Sequence, residues 1–162
     1  MNTTLSHVTD SAPAGRRLFP GLPADAGLTP ARPMRVCIAS PEFIGPTRNG
    51  GIGTAYTALA RTLAAAGHQV TCLYLEGNKT ASQDIQYWVN QFKRDGLALV
   101  PLPGIKAPAT DAPPCLVKSL EAFDWLKKHG PFDVIHYPEW QGSGFHTLTA
   151  KHQGLAFAGA TI

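Results

Sequence analysis

Met34-Arg-Val-Cys-Ile-Ala-Ser40, a loop from Pro41 to Arg48, the cluster Asn49-Gly50-Gly51-Ile52-Gly53, and then Thr54 to Ala66: this run decides the fold. Its first part is short, β-branched and apolar, as suits a parallel strand buried on both faces. Its last part sets Tyr56, Leu59, Ala60 and Leu63 at i, i+3, i+4, i+7 spacing, one face of a helix that Gly67 can close at C′. Glycines just ahead of a helix N-terminus leave outward amide N–H groups unpaired, where the helix dipole favours an anion. A flexible turn accounts for the same glycines equally well on pattern alone.

Outward from this run, strand and helix patterns keep alternating. Val70 to Leu75 reads as a second strand, and Ser82 as the N-cap of a helix with the stripe Ile85, Trp88, Val89 and Phe92. Gly96 ends that helix and Leu97 to Val100 makes a third strand. Pro101 to Pro114 is a proline-rich loop. Leu116 to His129 predicts a third helix presenting Leu116, Leu120, Phe123 and Leu126 or Lys127. Asp133 to Tyr137 is a fourth strand, Gly142 to His152 a fourth helix, and Ala156 to Ile162 the start of a fifth strand. Repeated β-α-β order predicts an open parallel α/β sheet with helices on both faces, Rossmann-like in class. Ligands then sit outside the carboxyl ends of the strands. The glycine turn and the segment after Tyr137 both lie there.

Size and composition narrow the function classes. The chain has 162 residues, 44% hydrophobic and 15% charged, which describes one globular domain behind a Pro/Ala/Gly-rich extension over residues 1–33. A net charge of +3 with no Lys/Arg block gives a nucleic-acid partner little support. Cys37, Cys72 and Cys115 contain no CxxC pair, against a zinc site or disulfide framework and in favour of a reducing, cytoplasmic setting. No apolar run reaches the length of about 18 residues that suggests a membrane span. Arg16-Arg17 could open a twin-arginine signal, but the Leu-Phe-Pro-Gly-Leu-Pro that follows is too broken.

Two constellations could carry chemistry. In the first, the amides of Gly50, Gly51 and Gly53 with the cation of Arg48 would cradle a phosphate or sugar phosphate. In the second, His136-Tyr-Pro-Glu139-Trp140-Gln-Gly-Ser-Gly144 gathers groups that suit a hydroxyl-rich ligand. Glutamate and glutamine bond hydroxyls, tryptophan offers an apolar face, and Gly142 and Gly144 would free backbone N–H groups. The bland alternative is a satisfied buried His136 and a Trp140 that only packs on the sheet. A dinucleotide fold is the nearest rival. It has Gly51-Ile-Gly53 and an acidic Glu76 after the second strand, but Tyr56 stands at the third glycine and a long insert precedes the turn. His68 reads as making a local hydrogen bond, and His129 as favouring a helix dipole. No HExxH or G-x-S-x-G occurs, so metal sites and serine-hydrolase chemistry lack their marks.

In combination, Met34-Arg-Val-Cys-Ile-Ala-Ser-Pro-Glu-Phe43, Asn49-Gly-Gly-Ile-Gly-Thr54, Leu59 to Thr71 with its Ala-Gly-His-Gln-Val-Thr junction, and Phe132-Asp-Val-Ile-His-Tyr-Pro-Glu-Trp140 resemble family 4 glycosyltransferases. The resemblance covers Met34 to Ile162 and is to their N-terminal Rossmann-like domain, the first half of the GT-B fold. It implies retaining transfer from a nucleotide sugar, which is a substrate rather than a cofactor, to a carbohydrate or other hydroxyl acceptor, without a metal. It implies that Gly50, Gly51 and Gly53 approach the donor diphosphate or sugar. Arg48 matches a lysine of the related glycogen synthases. His136 and Trp140 match a His-x-His-Asp-Trp pattern in which Pro138 here replaces the second histidine and Glu139 the aspartate. No general base is assigned. That family keeps nucleotide recognition, with a Glu-x7-Glu motif, in a second domain, so the chain reads as a truncated first half. Negligible transfer is expected from it alone, and an unpaired sheet edge is left open to association. A peripheral membrane position is left open for the full-length enzyme. A non-catalytic sugar or nucleotide binder, or a remnant, stands as the alternative, followed by an NAD(P)-dependent oxidoreductase.

Overall fold

The computed structural model describes residues 32–48, 50–104 and 112–162. The extension over residues 1–33 thus lies outside the described residues except for Arg32 and Pro33. Residues 105–111, half of the proline-rich loop, do too. The elements run β1 (Arg35–Ser40), α1 (Gly51–Ala65), β2 (Gln69–Tyr74), α2 (Ile85–Arg94), β3 (Ala98–Pro101), α3 (Pro114–His129), β4 (Val134–His136) and α4 (Phe145–His152). All strands pair in parallel in the order β3-β2-β1-β4. The expected open α/β sheet is the observed one.

Alternation along each strand explains the two layers. Val36 and Ile38 of β1, with Val70, Cys72 and Tyr74 of β2, point to one face, where α1 and α2 cover them with Ala60, Leu63, Trp88 and Phe92. Cys37, Ala39, Leu73 and Ile135 point to the other, packed under Ala122 and Leu126 of α3 and Phe132. Both strand cysteines are buried, and desolvation pushes their thiols up, Cys72 to about 12. They act as small apolar side chains.

Several boundaries differ from the sequence reading, each for a local reason. Helix α1 starts at Gly51 rather than Thr54, because the Thr54 N–H already bonds the Gly50 carbonyl at 3.1 Å. Asp84, not Ser82, caps α2, accepting the Tyr87 N–H at 2.7 Å. On α3 the buried positions are Ser119, Glu121, Ala122 and Leu126, while Leu120 is 38% exposed. A small polar residue faces inward there because the Ser119 hydroxyl accepts the His146 N–H of α4 at 3.0 Å. His68 bonds at longer range than expected, its Nδ1 accepting the Met34 N–H at 3.1 Å. His129 does sit at a helix C-terminus, stacked on Trp125. The expected fifth strand is a single parallel bridge between Val134 and Thr161.

Asp133 shows why an aspartate opens the fourth strand. Its carboxylate accepts from Arg32 at 2.5 Å and from the Arg35 N–H at 2.8 Å, tying the start of β4 to the start of β1. The Arg32 guanidinium and the Arg35 N–H hold this carboxyl below its ordinary value of 3.8. A depressed carboxyl stabilises the fold fully above the unfolded value and loses that contribution as pH falls through the lower folded one. Thermal melts from pH 6 to 2 are expected to fall in that window for the wild type and to fall less for Asp133→Asn. An identical acid slope in the variant rules Asp133 out as a contributor.

Candidate functional site

The strand order reverses between β1 and β4. β2 and β3 extend the sheet one way from β1, and β4 the other. A crevice outside the carboxyl ends of β1 and β4 is where an open α/β sheet takes its ligand. The loop after β1 leads into the glycine turn there, β4 ends at His136, and the loop after it carries Glu139 and Trp140.

The loop after β1 is packed rather than slack. The buried Ser40 hydroxyl donates to the Glu42 carbonyl at 2.9 Å and accepts the Glu42 N–H at 3.2 Å. Phe43 is wholly buried, edge-on to Phe92 with ring centroids 6.0 Å apart. The Ile44 N–H is taken by the buried Thr57 hydroxyl of α1 at 2.9 Å. The long insert that separates this chain from the dinucleotide pattern is thus a structured arm. It delivers the Glu42 carboxylate to the N-terminus of α1.

There the glycines divide their work. Gly50 is the N-cap, and a Cβ on it would come within 2.7 Å of Glu42 Oε2. Gly53 is buried, its N–H 3.4 Å from Glu42 Oε2 and its Cβ position against Glu42 Cβ and the Phe43 backbone. Gly51 is exposed, and a Cβ there meets open space. A Cβ on Gly50 would displace only the flexible end of Glu42, and one on Gly53 would make ordinary contact with Glu42 and Phe43, while the space at Gly51 is open. Arg48 is exposed beside the turn, and Asn49 lies outside the described residues. Sequence reading missed Glu42. The signal was a serine two residues upstream of a glutamate at a strand's carboxyl end, the composition of a hydroxyl-closed turn.

Across the crevice, His136 pairs in register with Ile38 of β1 and is exposed. Gln141 (φ 55°) and Gly142 (φ 62°) are successive left-handed residues, and the Ser143 hydroxyl donates to the Trp140 carbonyl at 3.1 Å. This tight turn leaves Glu139 exposed and Trp140 52% exposed. Two amides at the start of α4 beyond Gly142 and Gly144 are already engaged. The Phe145 N–H bonds the Gly142 carbonyl at 2.9 Å and the His146 N–H bonds Ser119. Gly144 instead makes room for the Tyr137 ring, whose hydroxyl meets Thr147 Oγ1 at 2.8 Å.

The two walls meet through Tyr56 of α1. Its hydroxyl donates to the Tyr137 carbonyl at 3.0 Å, and its ring lies 5.1 Å from the His136 ring. Burial, with the Glu139 charge adding, pushes the Tyr56 phenol up. Glu76, which a dinucleotide reading needs for a ribose, is ion-paired to Lys118 and, at 3.7 Å, to Lys79. A cavity of about 880 Å³ opens at the opposite, amino end of the strands. Its arginines are already engaged, Arg32 with Asp133 and Arg35 with the Pro131 and His129 carbonyls. Among the described residues no group of three or more His, Cys, Asp or Glu could hold a metal ion, and no helix is long and apolar enough to cross a membrane.

Sheet order and the glycine turn at the carboxyl end of β1 define a Rossmann-like α/β domain of the kind that forms one half of a GT-B fold. Residues 50–158, about two thirds of the chain, match the glycosyl transferase 4-like domain, and the chain belongs to that family. Over 88 residues it is also 29% identical to Exoglucanase-6A of Humicola insolens, a stretch that covers 54% of this chain and 18% of that protein. So short a share of that relative carries nothing about its activity to this chain.

Proposed function

We propose that residues 34–162 form the N-terminal wall of a retaining glycosyltransferase cleft that moves a sugar from a nucleotide sugar to a hydroxyl acceptor. The observation that supports it is that α1, which begins at the glycine turn, reaches the Tyr137 carbonyl through Tyr56 beside the point where the strand order reverses. In this reading the amides of Gly51 to Gly53 and the Arg48 guanidinium face the donor diphosphate and stabilise charge as the leaving group departs. His136, Glu139 and Trp140 hold sugar hydroxyls and an apolar sugar face. Turnover needs a closed cleft completed by a second α/β domain, so the 162 residues by themselves are expected to bind the donor's diphosphate without transferring its sugar. A cytoplasmic setting is part of the same proposal.

Glu42 sharpens the reading. A carboxylate at the cradle and an incoming phosphate repel by roughly 1 kcal/mol in water at about 4 Å, and by roughly 4 kcal/mol at an intermediate dielectric. Glu42 must therefore swing aside for a diphosphate, and Glu42→Gln is expected to tighten UDP-glucose binding by about tenfold, about 1.4 kcal/mol. A second reading, a non-catalytic binder of neutral sugar, is favoured by the same carboxylate, which would accept a sugar hydroxyl. That reading requires Glu42→Gln to weaken binding of free glucose and to leave UDP-glucose unbound. Calorimetric titration of both proteins with UDP-glucose, GDP-mannose and glucose separates the two. If no nucleotide sugar perturbs the Gly50 to Gly53 amides, the transferase reading of this turn is wrong.

A further inference from the structure

Tyr56 belongs to neither constellation in the sequence, yet it touches both walls of the crevice. It stands in the second turn of α1, five residues after Gly51, at the first position of the apolar stripe. A leucine there would satisfy the core equally well. Tyrosine adds a hydroxyl, and that hydroxyl reaches the carbonyl of Tyr137, 81 residues away, at 3.0 Å. The residue after Tyr137 is Pro138, which has no N–H and restricts Tyr137 to extended backbone. The Tyr137 carbonyl is thus presented at a set angle where β4 ends. Its own ring is pinned separately through Thr147 and the space left by Gly144.

We infer that Tyr56 is a positioning residue: it fixes His136 and the Glu139 to Gly144 turn relative to the glycine turn, so that both walls take up a sugar phosphate as one unit. The consequence for ligand uptake rests on the nucleotide-sugar reading above. The mechanical part does not. Tyr56 holds the β4 exit by one hydrogen bond and holds the His136 imidazole by a tilted ring contact at 42°. The two contacts can be removed separately. Tyr56→Phe deletes the bond and keeps the ring, and Tyr56→Leu deletes both. Neither variant places a polar group in the core.

NMR of the full chain tests this. Without ligand, Tyr56→Phe is expected to raise amide exchange at Ser143, Phe145 and His146, the hydrogen-bonded amides of this turn and the entry to α4, by roughly three- to tenfold, the loss of one net hydrogen bond. His136 ring-proton signals should persist in that variant and move in Tyr56→Leu, with cooperative melting kept in both. Unchanged exchange in Tyr56→Phe overturns the inference, whatever any ligand does. With UDP-glucose, the wild type should show coupled shifts at Gly50 to Gly53 and at His136. In Tyr56→Phe the glycine response should remain while that of His136 falls. Equal coupling in both proteins also overturns it. A wild type with no response at the glycines, but with faster exchange in Tyr56→Phe, sinks the nucleotide-sugar reading and leaves the positioning role standing.

Discussion

Gly51→Val is expected to weaken UDP-glucose binding by roughly a hundredfold while leaving stability within about 1 kcal/mol of the wild type. The loss follows from geometry at the start of α1. Gly51, Ile52 and Gly53 are the first three helical residues, whose N–H groups have no partner within the helix. A branched side chain on Gly51 would stand in open space, where a phosphate would approach them on the proposed reading. Hydrogen bonds to a charged group contribute roughly 1.5–3 kcal/mol each, so blocking one or two gives a loss of this order. The tolerance has an equally local cause. The φ of Gly51 lies outside the left-handed region and its Cβ position has no neighbour within 4 Å. Valine is also no worse than glycine inside a helix. With a donor-binding domain present, the same change should abolish sugar transfer. Full affinity in a folded Gly51→Val protein would remove the turn from the site.

Phe43→Ala is expected to cost about 3–5 kcal/mol in urea unfolding, a large part of a typical total of about 5–15 kcal/mol. The ring is fully buried and packs between Tyr74 of β2, at 6.5 Å, and Phe92 of α2, at 6.0 Å. It anchors the arm that presents Glu42 to Gly53 and Ile44 to Thr57. Ligand binding should therefore fail together with stability, in contrast to Gly51→Val, where the two separate. A loss under about 1 kcal/mol would mean that the arm is held chiefly by its hydrogen bonds.

The parts of the fold legible from sequence are those written in local periodicity. Ile85, Trp88, Val89 and Phe92 announced their stripe, and β1 announced burial on both faces, because such patterns depend only on neighbours along the chain. The α3 stripe misled because Leu120 is exposed while Ser119 is buried by an N–H from α4. No window of sequence contains that contact. The site divides in the same way. The glycine turn was visible as composition, and the topology explains why it faces the β4 loop. Glu42 and Tyr56 were not visible as site residues, since each acquires its role through a partner 11 or 81 positions away. A glycine reads alike in sequence whether a Cβ on it would meet open space, as at Gly51, or a neighbouring side chain, as at Gly53.

The segment after β4 is tethered at both ends. Tyr56 and Thr147 hold Tyr137, and Ser119 with the Trp140 carbonyl hold the entry to α4. Between the tethers, the residues from Glu139 to Gly142 are all exposed. These four positions form a natural cassette, a place where evolution or a library of variants can exchange exposed side chains while the frame on either side stays in register. On the proposed reading, a change of preferred acceptor would arise there without any revision of the sheet beneath.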